Sequence, residues 1–395
     1  MEADPIVIVS AARTPMGGLL GTLATVPAAI LGAAAIKAAI ERAGISPDVI
    51  TENIMGCVLP AGQGQAPARQ AAVHADIPYH CGSTTINKMC GSGMKAIMFA
   101  HDLLVARPDE VMVAGGFENM SRAPYLLEKA RGGYRIGHGE LLDHMFFDGL
   151  EDAYNKGTLM GAFAEVTAKK YQFTREQQDE FAIASLQRAK AAIDNGHFKE
   201  EIVPITITNK KGNVTIIDDE QPHAAKIEKI PALRPAFSKD GTVTAANASS
   251  ISDGGAAVVM MRLSQAKQRG LTPLAKITAH ATHSHEPEWF TTAPVGAIQK
   301  VLEKTQWNIN DVDLFEINEA FAVVTMAAMH DLKIPHEKVN IHGGACALGH
   351  PIGASGARIV VTLLHALKQQ KKTKGVAALC IGGGEATALA LELLA

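Results

Sequence analysis

Three segments near the start of the chain recur near its end at almost constant spacing. Asp48-Val49, ahead of an apolar stretch at 53–58, is matched by Asp311-Val312 ahead of Leu314 to Ile317. Gly91-Ser92-Gly93, opening a run with helical apolar spacing, is matched by Ala354-Ser355-Gly356, and Val111 to Gly116 is matched by Leu379 to Gly384. The offsets (48 to 311, 91 to 354, 111 to 379) are 263, 263 and 268 residues. Unrelated segments have no reason to keep a common spacing, so the pattern implies a duplicated α/β unit with an insertion between the copies.

Within each copy, strand-like apolar runs alternate with helical patterns. Strands are expected at Ile6 to Ser10, Val111 to Ala114, Ala275 to Ala279 and Val376 to Cys380. Helices are expected at Ala28 to Ala43, Met94 to Ala106, Gly296 to Lys304 and Arg358 to Leu367. Such alternation argues for mixed sheets covered by helices on both faces. Residues 120–248 break it with Gly132-Gly133, a long helical pattern from Arg175 to Asn195 and a Pro- and Lys-rich stretch from Lys210 to Pro235. They read as an inserted loop domain, leaving 1–119 with 249–270 as one half and 271–395 as the other.

A chain of 395 residues, 47% hydrophobic, is long enough for two or three domains with substantial cores. A net charge of −3, with both signs scattered, offers no basic face for nucleic acid. No apolar run approaches the roughly 20 residues needed to span a bilayer, so no membrane partner is expected. Five widely spaced cysteines, an odd number, suit reduced thiols in a cytoplasmic setting better than a disulfide framework. No signal or transit peptide is seen.

Chemistry concentrates on three glycine-rich segments. Cys90, in Asn87-Lys88-Met89-Cys90-Gly91-Ser92-Gly93-Met94-Lys95-Ala96, stands at the start of a helical pattern. Partial positive charge and free N–H groups at a helix N-terminus favour a thiolate and any oxyanion beside it, which makes Cys90 a candidate nucleophile. Gly343 to Gly356 carries Cys346 and His350 in a stretch too rich in Gly and Pro for regular structure, and Ala377 to Gly384 reads as a buried strand delivering Cys380 to a glycine turn. For each cysteine the alternative is an unreactive residue packed in the core.

Four motifs, N-K-M-C-G-S-G-M-K-A, N-E-A-F at Asn318 to Phe321, G-G-A-C-A-L-G-H-P-I-G-A-S-G-A-R and C-I-G-G-G, together resemble those of the thiolase family, and the match runs along the whole chain. Within the family the chain is most similar to the short-chain acetyl-CoA acetyltransferase branch. The resemblance implies the thiolase fold, with two similar halves stacked in αβαβα layers. It also implies reversible condensation of two acetyl-CoA molecules to acetoacetyl-CoA and CoA through an S-acetyl-cysteine. Cys90 would be the nucleophile, Cys380 the base that removes a methyl proton, and His350 the activator of Cys90 and an N–H donor to the thioester oxygen. Asn318 would hold a water completing that oxyanion site, backbone N–H groups of Cys90 and Gly382 would form a second, and Glu319 is left with anchoring its loop.

No phosphate loop is present. Motif matching places pantetheine contacts at Leu150, Met160, Phe237, Ala245, Ala248, Ser249 and Phe321, with CoA as substrate and product and no permanently bound cofactor. The family's His-Met-Gly is here Leu159-Met160-Gly161, its Met-Gly-x-Gly-Pro is Phe290-Thr291-Thr292-Ala293-Pro294, and Glu385-Ala386-Thr387 replaces Met-Gly-Val. The tyrosine on which potassium activation depends is missing near Glu220-Gln221, so that property is not expected. No metal site is expected either: His342, Cys346 and His350 have helical spacing, but the glycines and proline around them argue against a helix, and His280, His283 and His285 have no cysteine nearby. The competing readings are a 3-ketoacyl-CoA thiolase of broader chain length and a non-catalytic acyl-CoA or lipid carrier on the same fold. Assembly as a homotetramer through the loop domain is expected from the family.

Overall fold

The computed structural model describes residues 4–210 and 212–394. The first half runs β1 (Ile6–Arg13), α1 (Ala28–Ala43), β2 (Glu52–Gly56), β3 (Gly82–Ile86), α2 (Ser92–Ala106) and β4 (Met112–Asn119). An inserted segment carries α3 (Met160–Tyr171), α4 (Arg175–Asp194) and a hairpin of Ile205–Asn209 with Gly212–Ile216. The chain then returns through β5 (Ser252–Arg262) to β6 (Ala275–Ser284), α5 (Ala293–Thr305), β7 (Leu314–Ile317), α6 (Ala322–Leu332), α7 (Ser355–Gln369), β8 (Lys374–Ile381) and β9 (Glu385–Leu393).

The strands follow the order β7-β8-β9-β6-β1-β5-β4-β2-β3. The two halves join where Val7 and Ile8 of β1 pair with Lys276 and Ala275 of β6. Outward from that seam, β1-β5-β4-β2 repeats as β6-β9-β8-β7, the spatial counterpart of the duplicated sequence. Within each half the outermost of these pairs is parallel, β2 with β4 and β7 with β8, and the others are antiparallel.

Period-two alternation in β1 divides its side chains between two cores. Ile6 and Ile8 enter the layer between the sheets with Met94, Ile97, Val258, Ile359, Leu363 and Leu379, whereas Val7 and Val9 face α1 with Ile36, Ile40 and Val113. On the far side, α5 covers the second sheet through Ala297, Ile298 and Val301. The layers therefore run α1, sheet, α2 with α7, sheet, α5. The central helix α7 is buried almost all round, as a helix enclosed on every side requires.

The sequence pattern marks no strand at β5 or β9. β5 carries a glycine pair inside it and β9 follows a glycine triplet, and both are buried on both faces over most of their length, so they lack the alternation that announces a half-exposed strand. Conversely α4 starts at Arg175, where expected, because Thr174 and Gln177 form a capping box. The inserted segment is tied down by the buried Arg13 at the end of β1. Its guanidinium binds Glu201 at 2.5 Å and clasps Asp219 at 2.7 and 2.9 Å. Removing one partner of such a buried set typically costs about 3–5 kcal/mol. No helix among the described residues is long and apolar enough to cross a membrane.

Backbone meets backbone where the central helices begin. A Cβ at Gly116 would lie 2.0 Å from the Gly353 oxygen, and one at Gly356 would lie 2.4 Å from the Met94 nitrogen. Gly356→Ala is therefore expected to destabilise by about 1–3 kcal/mol through overpacking. The surface control Gly132→Ala, whose added methyl meets nothing closer than 4.0 Å, should leave thermal unfolding unchanged. Equal melting of the two variants in calorimetry would contradict the tight crossing.

Candidate active site

The turn before α2 is built from its own side chains. Ser92 Oγ accepts from the Lys88 N–H at 2.8 Å and donates to the Met89 carbonyl at 2.6 Å, while Asn87 Oδ1 accepts from the Met89 N–H at 2.9 Å. Met89 is thereby held at φ +47°, a left-handed conformation uncommon outside glycine, and Cys90 follows at the mouth of the helix. Backbone N–H groups of Cys90 itself and of Gly382 lie near enough to its sulfur to favour the thiolate. Cys380, on the last turn of strand before Gly382, is fully buried and close enough to Cys90 for the two sulfurs to repel when charged.

His350 comes from the loop before α7. Ser355 Oγ stands 2.5 Å from His350 Nδ1 and donates to the Pro351 carbonyl at 2.9 Å, which fixes the ring, and Nε2 is buried without a protein partner. The Asn318 amide stands 3.4 Å from the same imidazole, and its Oδ1 is likewise buried and unpartnered. Two orphaned buried polar atoms on side chains in contact mark a place where a ligand or water completes the bonding.

Burial governs the charges. It pushes the Cys90 thiol up to about 11, helped by the Glu118 carboxylate, against the downward pull of the Gly382 and Cys90 N–H groups. The expected helix-stabilised thiolate is therefore overturned. A helix terminus contributes at most about 2 kcal/mol, whereas desolvation of a buried group shifts a pKa by up to about 3–5 units. Burial raises Cys380 well above the usual thiol value and, with the Arg358 guanidinium, lowers His350 to about 3. At neutral pH the free site holds two thiols and a neutral imidazole.

The remaining candidates divide around these groups. Met160, Phe237, Ala248 and Phe321 pack in one apolar cluster with Cys380, and Leu150 packs in another with Cys90. Ser249 is fixed at the rim by its N–H to the Ala320 carbonyl at 2.9 Å, while Ala245 is exposed and joins neither cluster. Phe290 is buried edge-on to Phe163 and Phe321 in the Cys380 cluster. Glu385, unexplained by sequence, forms a 2.6 Å ion pair with Lys88 two residues before Cys90. Glu319 accepts from Ser185, Asn340 and the Cys346 N–H, anchoring three segments.

A single helical turn, Ala345–Leu348, does form in the glycine-rich stretch, contrary to expectation. Its neighbours still diverge: His342 bonds Gln369, Cys346 lies against Glu319, and His350 bonds Ser355. The residue that sequence reasoning misses is Glu118. Buried at the end of β4 and held at about 7 by desolvation, it accepts from the N–H groups of Val58, Leu59 and Gly353. No spacing signals it, because its partners come from two distant loops.

Two family models match, the thiolase N-terminal domain over residues 6–264 and the thiolase C-terminal domain over 271–393. The chain belongs to the thiolase family. It is 51% identical over 389 residues to the acetyl-CoA acetyltransferase of Cupriavidus necator, covering 98% of this chain and 99% of that protein. A probable acetyl-CoA acetyltransferase of Dictyostelium discoideum is 49% identical, with 99% and 94% covered. The crystal structure of the Bacillus anthracis acetyl-CoA acetyltransferase superposes with a TM-score of 0.96 at 42% identity, covering 99% of each chain.

Because the Cys90 thiolate is scarce well below pH 11, alkylation of Cys90 by iodoacetamide should accelerate about tenfold per pH unit between pH 7 and 10. Glu118→Gln removes a like charge and should move that curve to lower pH. Peptide mass spectrometry at Cys90 reads the rate, and a plateau by pH 8 would contradict the assignment.

Proposed function

We propose that this thiolase is an acetyl-CoA C-acetyltransferase, converting two acetyl-CoA to acetoacetyl-CoA and CoA and running reversibly. The observation that carries the reading is the gathering of Cys90, Cys380 and the Gly382 N–H in one buried site, with the unpartnered His350 Nε2 and Asn318 Oδ1 nearby. His350 Nε2 takes the Cys90 proton as the sulfur attacks the thioester carbonyl. The N–H groups of Cys90 and Gly382 hold the tetrahedral oxyanion. CoA departs as a thiolate and takes the proton of Cys380, leaving acetyl-Cys90, an imidazolium and a Cys380 thiolate. Isolated, either charge is disfavoured by burial; as a pair they stabilise one another.

A second acetyl-CoA then gives a methyl proton to Cys380 while its thioester oxygen is held by the His350 N–H and a water on Asn318. The carbanion attacks acetyl-Cys90, and the departing Cys90 sulfur recovers its proton from His350, restoring the starting site. Leu150, Met160, Phe237, Ala248, Ser249 and Phe321 would line the pantetheine path; the exposed Ala245 would touch only its mouth. Phe290, filling space beside Cys380, favours two-carbon acyl groups over long chains.

Mass spectrometry after mixing with acetyl-CoA should find one added acetyl group, on Cys90. Cys90→Ser should lose acetyl transfer by at least about a thousandfold. Undiminished activity would remove the nucleophile, and faster thiolysis of a sixteen-carbon than a four-carbon 3-ketoacyl-CoA would favour the broader thiolase. A homotetramer is proposed from the exposed apolar residues of the inserted segment, Tyr125 and Leu141 at 65% and the fully exposed Ile136. Light scattering should give four chains per particle, and Ile136→Asp should lower that number. Five free thiols favour a reducing, cytoplasmic setting.

A further inference from the structure

Away from the reactive loops, the second half of α2 meets β6 through His101, Asp102 and His280. His101 Nδ1 lies 3.0 Å from Asp102 Oδ1, His280 Nε2 lies 2.9 Å from the same oxygen, and the two nitrogens are 3.2 Å apart. The imidazoles stand at 83° to each other with centroids 4.9 Å apart, and each presents one nitrogen to Asp102 Oδ1. The histidine side chains are 20% and 15% exposed, and Asp102, at 58%, keeps the cluster open to solvent.

A carboxylate oxygen has room for two donors, so both imidazoles can donate to Asp102 Oδ1, which brings their N–H groups within 3.2 Å of one another. When each ring instead carries its hydrogen on the other nitrogen, two nitrogen lone pairs and a carboxylate oxygen stand within 3.2 Å of one another, three ligand atoms for a cation placed among them.

We propose that His101 Nδ1, Asp102 Oδ1 and His280 Nε2 bind a divalent transition-metal ion of zinc's class, with water completing the coordination. Zinc bonds of about 2.0–2.2 Å place neighbouring ligand atoms roughly 2.8–3.1 Å apart at right angles and roughly 3.3–3.6 Å apart at the tetrahedral angle. The observed edges of 2.9, 3.0 and 3.2 Å fall at the first of these and between the two, so a tetrahedral ion would open the triangle by a few tenths of an ångström. Two imidazoles and a carboxylate also match the preferences of such ions over calcium or magnesium. Lys304 is turned to the His280 backbone carbonyl at 2.8 Å, and Lys95 lies over the Phe99 ring.

The bound ion would staple the central helix of the first half to the first strand of the second, across 178 residues of sequence. That separation is why the sequence, searched for local ligand spacing, offers no metal site. The role is structural: the ion stands apart from Cys90, at the other end of α2.

The full-length protein, equilibrated with Co2+ and with Zn2+, tests this. One Co2+ per chain is expected, with weak d–d absorption and no thiolate charge-transfer band, which separates the site from the reactive cysteines. Zn2+ should raise the melting temperature of the wild type. His280→Ala and the conservative, exposed Asp102→Asn should each cut occupancy at least tenfold and abolish the Zn2+-dependent rise, with acetyl transfer by Asp102→Asn unchanged. Occupancy below a tenth in the wild type, equal binding by wild type and Asp102→Asn, or a spectrum dominated by thiolate ligation would each overturn the proposal.

Discussion

The molecule depends on how closely its two central helices start to one another. Gly116, Gly353 and Gly356 let backbone touch backbone there, with no room for a Cβ at Gly116 or Gly356. This contact places the turn before α2, which carries Cys90, against the loop before α7, which carries His350. The same layer brings β8 and its glycine turn alongside, so Cys380 and Gly382 arrive from the second half. Side chains at these positions would hold the halves apart and separate the reactive groups. Packing and chemistry share one constraint.

That enclosure sets the electrostatics of the resting protein. Burial outweighs the modest field of a helix terminus, so both thiols stay protonated and the imidazole stays neutral. A neutral resting site protects the cysteines from indiscriminate alkylation and oxidation, since the thiolate is the reactive form. In the proposed reaction, charge appears only as opposite pairs while substrate occupies the site. Glu118 occupies a position with two effects. It binds the N–H groups of the 58–59 and 353 loops and adds negative potential at Cys90.

The inserted segment solves a different problem. Its helices supply Met160 and Phe163 to the cluster around Cys380, and its Glu201 and Asp219 enclose Arg13. A buried guanidinium with two carboxylates fixes the segment's position as well as stabilising it, because a shift of either acid would leave charge unpaired. The apolar cluster around Cys380 is thus built in part from residues that belong to neither copy of the duplication.

The sequence by itself determined what depends on short stretches of chain: the duplication, the alternation of strands and helices, the capped start of α4, and glycine turns carrying Cys90, His350 and Cys380. Periodicity, capping and turn chemistry act over a few residues and leave a readable trace. The doubly buried strands β5 and β9 left none, having no polar face to alternate with. Tertiary structure alone decided the protonation of Cys90 and His350, the part played by Glu118, the pairing of Glu385 with Lys88, and the meeting of His101 and Asp102 with His280. Each of these arises from groups distant along the chain brought within a few ångströms in a medium that solvates charge poorly. No local pattern encodes such a meeting, because its energy comes from exclusion of water by the assembled layers.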